Sequence, residues 1–295
     1  MYDEIIARHL HPLEPRPTDA EPRLETLGGI RAVMFDIYGT LLISGSGDVG
    51  TAAAVNKADA LSEALAAVGI GYRGEADTAI EDLVGMIGIH HERLKATGIE
   101  YPEVRIGEVW SDVAAGWLAR KAIAKRPDEV QISKLAIEYE MRVNPVWPMP
   151  GVKQTLSELR RKGKVLGVIS NAQSFTPRLF AAAGGELDEI GSLEALGIDH
   201  DLQVFSFEMR FAKPGVRMYE EAAASLDERG IHREQTLYVG NDMLNDIVPA
   251  AATGFRTALF AGDRRSLRLR DDDDRVGSTT PDLVVTELSQ LLDCV

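Results

Sequence analysis

Val33-Met34-Phe35-Asp36-Ile37-Tyr38-Gly39-Thr40-Leu41-Leu42 is the stretch that decides how this chain is read. A short apolar run ends in a carboxylate, and a Gly-Thr turn follows. Such a run reads as a strand buried on both faces, as in a parallel sheet. It delivers Asp36 to the rim where open α/β folds place their ligands. Gly39 lets the backbone fold tightly at that point, and Thr40 sets a hydroxyl beside the carboxylate. Alone, a stretch like this is more often a strand end whose Asp merely caps a turn. The rest of the chain decides between the two.

Upstream, residues 1–10 read as a short helix, and Pro12, Pro15, Pro17 and Pro22 then forbid regular structure. The segment 1–29 is expected to be an N-terminal arm, lying on the surface or forming a dimer contact. Downstream, Ser44-Gly45-Ser46-Gly47-Asp48 reads as a flexible link. Four helical stretches follow, over 51–68, 77–96, 102–122 and 128–143. Gly85 and Gly88 weaken the second. Val109, Trp110, Val113 and Trp117 stripe the third, and Asp128 is placed to cap the fourth. Pro145, Pro148 and Pro150 close this helical insertion.

An α/β rhythm then resumes. Strands are expected at 165–169, 202–205, 236–239, 257–260 and 283–285, with helices over 152–162, 175–183, 216–229, 247–253 and 286–292. Residues 264–280 read as a solvated loop with no ligand role. The alternation predicts a Rossmann-like, doubly wound parallel sheet. The strand bearing Asp36 is expected between the Ser170 strand and the Asp242 strand, at the topological switch point. The division expected is an arm over 1–29, an α/β core over 30–43 and 150–295, and a helical cap over 44–149.

Composition narrows the function. With 295 residues and 45% hydrophobic content the chain can bury a real core. Its net charge of -14 argues against nucleic acid and anionic membranes as partners. The one cysteine, Cys294, allows no internal disulfide, and no apolar run reaches membrane-spanning length. Nor does the N-terminus have the basic-then-apolar layout of a secretion signal. The expectation is a cytoplasmic protein, monomer or homodimer, acting on a small molecule.

Polar residues stand at four strand ends: Asp36 with Thr40, Ser170 with Asn171, Lys213 before Pro214, and Asp242 with Asp246. A parallel sheet brings all these ends to one edge. A carboxylate there can attack phosphorus and form an acyl-phosphate. Ser170, Lys213 and backbone N–H groups can hold phosphoryl oxygens, with Thr40 beside them and Asn171 as a further donor. Asp242, facing Asp36, completes an oxygen-ligand site for Mg²⁺. The cation has a clear task. An anionic nucleophile near an anionic phosphate meets a repulsion of about 4 kcal/mol per charge pair at about 4 Å and an effective dielectric of about 20.

From about Ala32 to Leu292 the sequence resembles the haloacid dehalogenase superfamily. Asp36-x-Tyr38-Gly39-Thr40 is similar to its first motif, Ser170 to its second, Lys213-Pro214 to its third, and Asp242-x-x-x-Asp246 to its acidic fourth. The insertion after the first strand matches the place of its helical cap. The resemblance implies a hydrolase in which Asp36 is the nucleophile. Magnesium would be held by Asp36, Asp242 and the Tyr38 backbone carbonyl, with Asp246 in support. The favoured activity is a magnesium-dependent phosphatase of a small phosphorylated metabolite.

One departure bears on this. Most phosphatases of the superfamily place an acid–base Asp two residues after the nucleophile, a role worth about 10²–10⁴ in rate. Here Tyr38 stands there, as in the haloacid dehalogenases proper. Metal-independent 2-haloacid hydrolysis through an aspartyl ester is therefore an alternative. The retained Asp242 and Asp246 oppose it, because they repel both a haloacid carboxylate and a departing halide. A second alternative is a non-catalytic protein that binds phosphoryl ligands. Among other residues, the His90-His91-Glu92 run is expected to be solvent-exposed, Lys57 a surface lysine, and Trp110 with Trp117 cap core. Glu208 and Arg210 show no pattern.

Overall fold

The two faces of the strand β1, Ala32–Phe35, look into different cores. Val33 and Phe35 join one cluster with Leu166, Val168, Leu237 and Val239. Ala32 and Met34 join another with Ile169 and Tyr238. Side chains alternate along a strand, so a strand that is apolar throughout needs a covering layer on each face. That is what the computed structural model of the chain contains; it describes residues 2–46, 56–182 and 192–295.

The remaining strands are β2 (Leu42–Ser44), β3 (Val146–Pro148), β4 (Val165–Ser170), β5 (Gln203–Phe205), β6 (Thr236–Gly240), β7 (Arg256–Phe260) and β8 (Leu283–Val285). Five of them join β1 in one parallel sheet in the order β5-β4-β1-β6-β7-β8. Phe35 registers with Val168 on one side and Val239 on the other. The Asp36 strand thus lies between the Ser170 and Asp242 strands.

The helices are α1 (Tyr2–His9), α2 (Lys57–Ala67), α3 (Ala76–Lys95), α4 (Ile106–Ala119), α5 (Glu129–Val143), α6 (Val152–Arg161), α7 (Thr176–Ala182), α8 (Ser206–Met209), α9 (Arg217–Asp227), α10 (Val248–Thr253) and α11 (Leu291–Cys294). Helices α6, α7 and α11 cover the first face through Leu156, Leu179 and Leu291. Helices α9 and α10 cover the second through Met218, Ala222 and Ala250.

Helices α2 to α5 bury a core of their own around Leu61, Trp110, Trp117 and Leu135. Asp128 and Gln131 form a reciprocal capping box at the start of α5. His90 departs from expectation: it is buried and pairs with Asp112 at 2.9 Å. The two chain crossings between this helical block and the sheet form an antiparallel ribbon, Leu42↔Pro148 to Ser44↔Val146, which the sequence did not announce. Three-residue strands are too short to show alternation, and Pro148 reads as a breaker although edge strands tolerate it. The expected link residues Gly47 and Asp48, the first turn of the helix expected from 51, and Ala183 lie outside the described residues.

The N-terminal segment is docked. Ile5 and Ile6 of α1 are buried, and Arg8 and His9 reach Glu138 of α5, each at 2.9 Å. Arg178 of α7 bonds Asp3 at 3.2 Å. Beyond α1 the proline-rich chain follows the sheet. Thr18 donates to the Ala261 carbonyl (2.7 Å), and Arg23 N–H donates to the Val284 carbonyl (2.9 Å).

Candidate active site

Asp36 N–H continues the β1 ladder by donating to the Val239 carbonyl at 2.9 Å. The chain then turns sharply, with Gly39 N–H donating to the Leu42 carbonyl at 2.6 Å. Gly39 has φ +85°, and a Cβ there would lie 2.5 Å from Ser266 Cβ and 2.8 Å from Asn241 Nδ2. Only glycine suits both the conformation and the space.

The Asp36 carboxylate meets Lys213, whose Nζ donates to Asp36 Oδ1 at 2.7 Å and to Asp246 Oδ1 at 2.6 Å. The Lys213 side chain is 4% exposed. Burial works against its charge, yet Asp246 and Asp36 outweigh that and hold its proton well above the usual lysine range. Burial pushes the Asp246 carboxyl upward, against the pull of Lys213. Tyr238 of β6 completes the cluster: its hydroxyl lies 3.2 Å from Lys213 Nζ and 3.1 Å from Asp246 Oδ1.

Asp246 owes its place to a wide π-type turn over Met243–Ile247 directly after β6. Its Oδ2 accepts from Asp242 N–H at 2.9 Å. A Cβ on Gly240 would fall 2.4 Å from Asp246 Cγ, so the glycine is what lets the carboxylate fold back beneath the loop. Asp242 Oδ1 accepts from the N–H groups of Leu244 (2.9 Å) and Asn245 (3.1 Å). Its Oδ2 accepts from Arg270 Nη2 at 2.6 Å.

That last contact ties residues 264–280, expected to be a solvated loop, to the edge where Asp242 stands. Its backbone pairs with the loop after β6: Arg268 N–H donates to the Asn241 carbonyl (3.0 Å) and Met243 N–H to the Arg268 carbonyl (2.9 Å).

Several expected groups have other partners. The buried Thr40 hydroxyl donates to Asn241 Oδ1 at 3.0 Å, and Asn241 donates on to the Ser266 carbonyl at 2.7 Å. Thr40 thereby braces the wall of the site. The Asn171 amide brackets the Lys213 backbone, accepting from its N–H (2.8 Å) and donating to its carbonyl (3.3 Å). Its part is to fix the lysine loop. Ser170 is fully buried at the end of β4, its hydroxyl 3.4 Å from the Asn171 carbonyl. Tyr38 OH lies 2.9 Å from Thr176 Oγ1. Burial, followed by the charge of Glu140, pushes the phenol well above its ordinary range. Arg210 pairs with Glu108 at 2.8 Å.

The helical block meets this edge through Glu103, which precedes α4. Ser206 Oγ donates to Glu103 Oε2 at 2.7 Å and Gln173 Nε2 to its Oε1 at 3.2 Å. Burial pushes the Glu103 carboxyl up to about 7, against the hydrogen bond from Ser206. Tyr238, Arg270 and Glu103 all escaped the sequence reading. Tyr238 sits in an apolar strand, Arg270 in a loop of mixed charge, and Glu103 in a connection between helices.

The donor set suits a hard cation, although among the described residues no three carboxylate, imidazole or thiol groups are gathered as a ready metal cage. Magnesium needs no such cage, since it takes one or two carboxylates and fills its other positions with water and substrate oxygens. Asp36 and Asp242 follow the paired strands β1 and β6, and these two, with the Tyr38 carbonyl, are the groups that would have to supply such a set.

Comparison with known proteins agrees with the geometry. A family model described as haloacid dehalogenase-like hydrolase matches residues 30–254. A glyceraldehyde 3-phosphate phosphatase of Methanothermobacter thermautotrophicus is 33% identical over 146 residues, 49% of this chain and 57% of that protein. A ribulose-1,5-bisphosphate 5-phosphatase of Halopiger xanaduensis is 28% identical over 149 residues, 50% and 56% of the two chains. The match thus spans little more than half the length of these relatives. Among solved structures, a 2-haloacid dehalogenase from Pseudomonas syringae pv. tomato superposes with a TM-score of 0.54 at 20% identity, over 89% of this chain and 96% of that one. It shares the fold.

Proposed function

Since the chain belongs to the haloacid dehalogenase-like hydrolases, we propose that this hydrolase is a magnesium-dependent phosphatase of a small phosphorylated metabolite, with Asp36 as nucleophile. The observation that carries this reading is the acidic loop after β6. Asp246 lies within 2.6 Å of the same ammonium that holds Asp36, and Asp242 hydrogen-bonds to Asp246 through its backbone. Asp36 and Asp242 are the oxygen ligands a divalent cation would use, and that cation would offset the charge of a phosphoryl group; without a cation these carboxylates repel a haloacid. That both curated relatives are named as phosphatases supports the same choice.

In the first step Asp36 attacks phosphorus, an aspartyl-phosphate bond forms, and the ester P–O bond breaks. Lys213 occupies Oδ1, which leaves Oδ2, without a donor among the described residues, as the attacking oxygen. The departing alkoxide takes its proton from water, because the Tyr38 phenol is tied to Thr176 and holds its own proton. Water then attacks phosphorus, the P–O bond to Asp36 breaks, and phosphate leaves. Magnesium, when bound, neutralises phosphoryl charge. Lys213 supplies a fixed positive charge beside the nucleophile, and Asn171 keeps it in register.

A screen of phosphorylated metabolites and 2-haloacids, each with and without magnesium, tests the proposal. Magnesium-stimulated phosphate release is expected. Halide release without metal, and no phosphate from any ester, would replace the phosphatase with a dehalogenase. The reading of a non-catalytic binding protein requires that neither product appear.

A further inference from the structure

We propose that Arg270 is the resident counter-ion of Asp242 and that a divalent cation must displace it to reach that carboxylate. The inference rests on the magnesium reading above and concerns what the chain does before the metal arrives. Arg270 Nη2 lies 2.6 Å from Asp242 Oδ2, and Nε lies 3.3 Å from Oδ1. The guanidinium therefore spans both oxygens, the strongest geometry available to such a pair.

This is not the chance meeting of two surface side chains. Two backbone hydrogen bonds fasten residue 268 to residues 241 and 243, and Asn241 grips the Ser266 carbonyl. The loop is thus built to deliver the arginine. Arg270 itself has φ +57°, a left-handed conformation that non-glycine residues adopt only when surrounding contacts hold it.

The charges explain what the contact does. Asp36, Asp242 and Asp246 face Lys213 and Arg270, so three carboxylates meet two cationic side chains. Lys213 serves Asp36 and Asp246, and Arg270 serves Asp242. A cation that binds Asp242 must take the place of an existing charge-assisted bond, and part of its binding energy offsets that loss. The Arg270 side chain is 32% exposed, so it can move into solvent when displaced.

Isothermal titration of the substrate-free protein with MgCl₂ and MnCl₂ tests this in wild type, Arg270→Gln and Arg270→Lys. Arg270→Gln should bind the metal about tenfold more tightly, equivalent to about 1.4 kcal/mol. Arg270→Lys keeps a positive charge and should stay near wild type, while its melting temperature reports whether the loop still folds. If wild type binds metal and Arg270→Gln binds it equally or more weakly, the displacement idea is overturned and the magnesium reading survives. If neither protein binds metal, both fall.

Discussion

Lys213 is the residue on which the site depends most directly, because two buried carboxylates share its ammonium. Lys213→Met should abolish turnover and destabilise the fold by about 3–5 kcal/mol, the cost of leaving buried charge unpaired; thermal unfolding would record it. Asp36→Asn should also abolish turnover with the fold intact, because Asp246 still holds Lys213. Tyr38→Asp restores a titrating group two residues after the nucleophile, and steady-state kinetics should show faster hydrolysis of esters with poor leaving groups. Unchanged or slower turnover would refute that role. At this scale the sequence was informative where a polar residue ended or closely followed an apolar strand, as with Asp36, Ser170 and Asp242; Lys213, expected at a strand end, stands instead in the connection between α8 and α9, because α8 intervenes after β5. It was silent where a side chain hides in a strand's apolar pattern, as with Tyr238. Nor could it show that the Thr40 and Asn171 polar groups are engaged by neighbouring protein groups.

Among the elements, the connection into α4 carries a pH signature. Burial raises Glu103 to about 7 from an unfolded value of 4.5. Between those values the folded protein keeps a proton that the unfolded chain has released. Its stability contribution is therefore full below the lower value, declines through the window, and is gone above the upper one, a change on the order of 3 kcal/mol. Arg210, the cation whose charge reaches Glu103, reduces the effect. Glu103→Gln mimics the protonated acid, so the melting temperature should fall from pH 5 to pH 8 in wild type and stay flatter in the variant. The α/β alternation and all six core strands were legible, because buried parallel strands are continuous apolar runs. The β2–β3 ribbon was not, since each strand has three residues and one contains Pro148.

For the whole molecule, charge and the central place of the Asp36 strand were readable from the sequence, whereas the path of the N-terminal segment was not, because prolines state only what a chain avoids. That path has a mechanical consequence. Helix α1 touches α5 in the helical block and α7 on the sheet, and the chain behind it is fastened as far as Val284. Swinging the block about the β2–β3 ribbon would have to tear α1 from one neighbour or drag its tail off the sheet. Under the proposed phosphatase activity, admission of large esters would be throttled by this seat-belt of some twenty residues. Trimming residues 1–10 should quicken turnover of bulky esters more than small ones, at the expense of thermal stability.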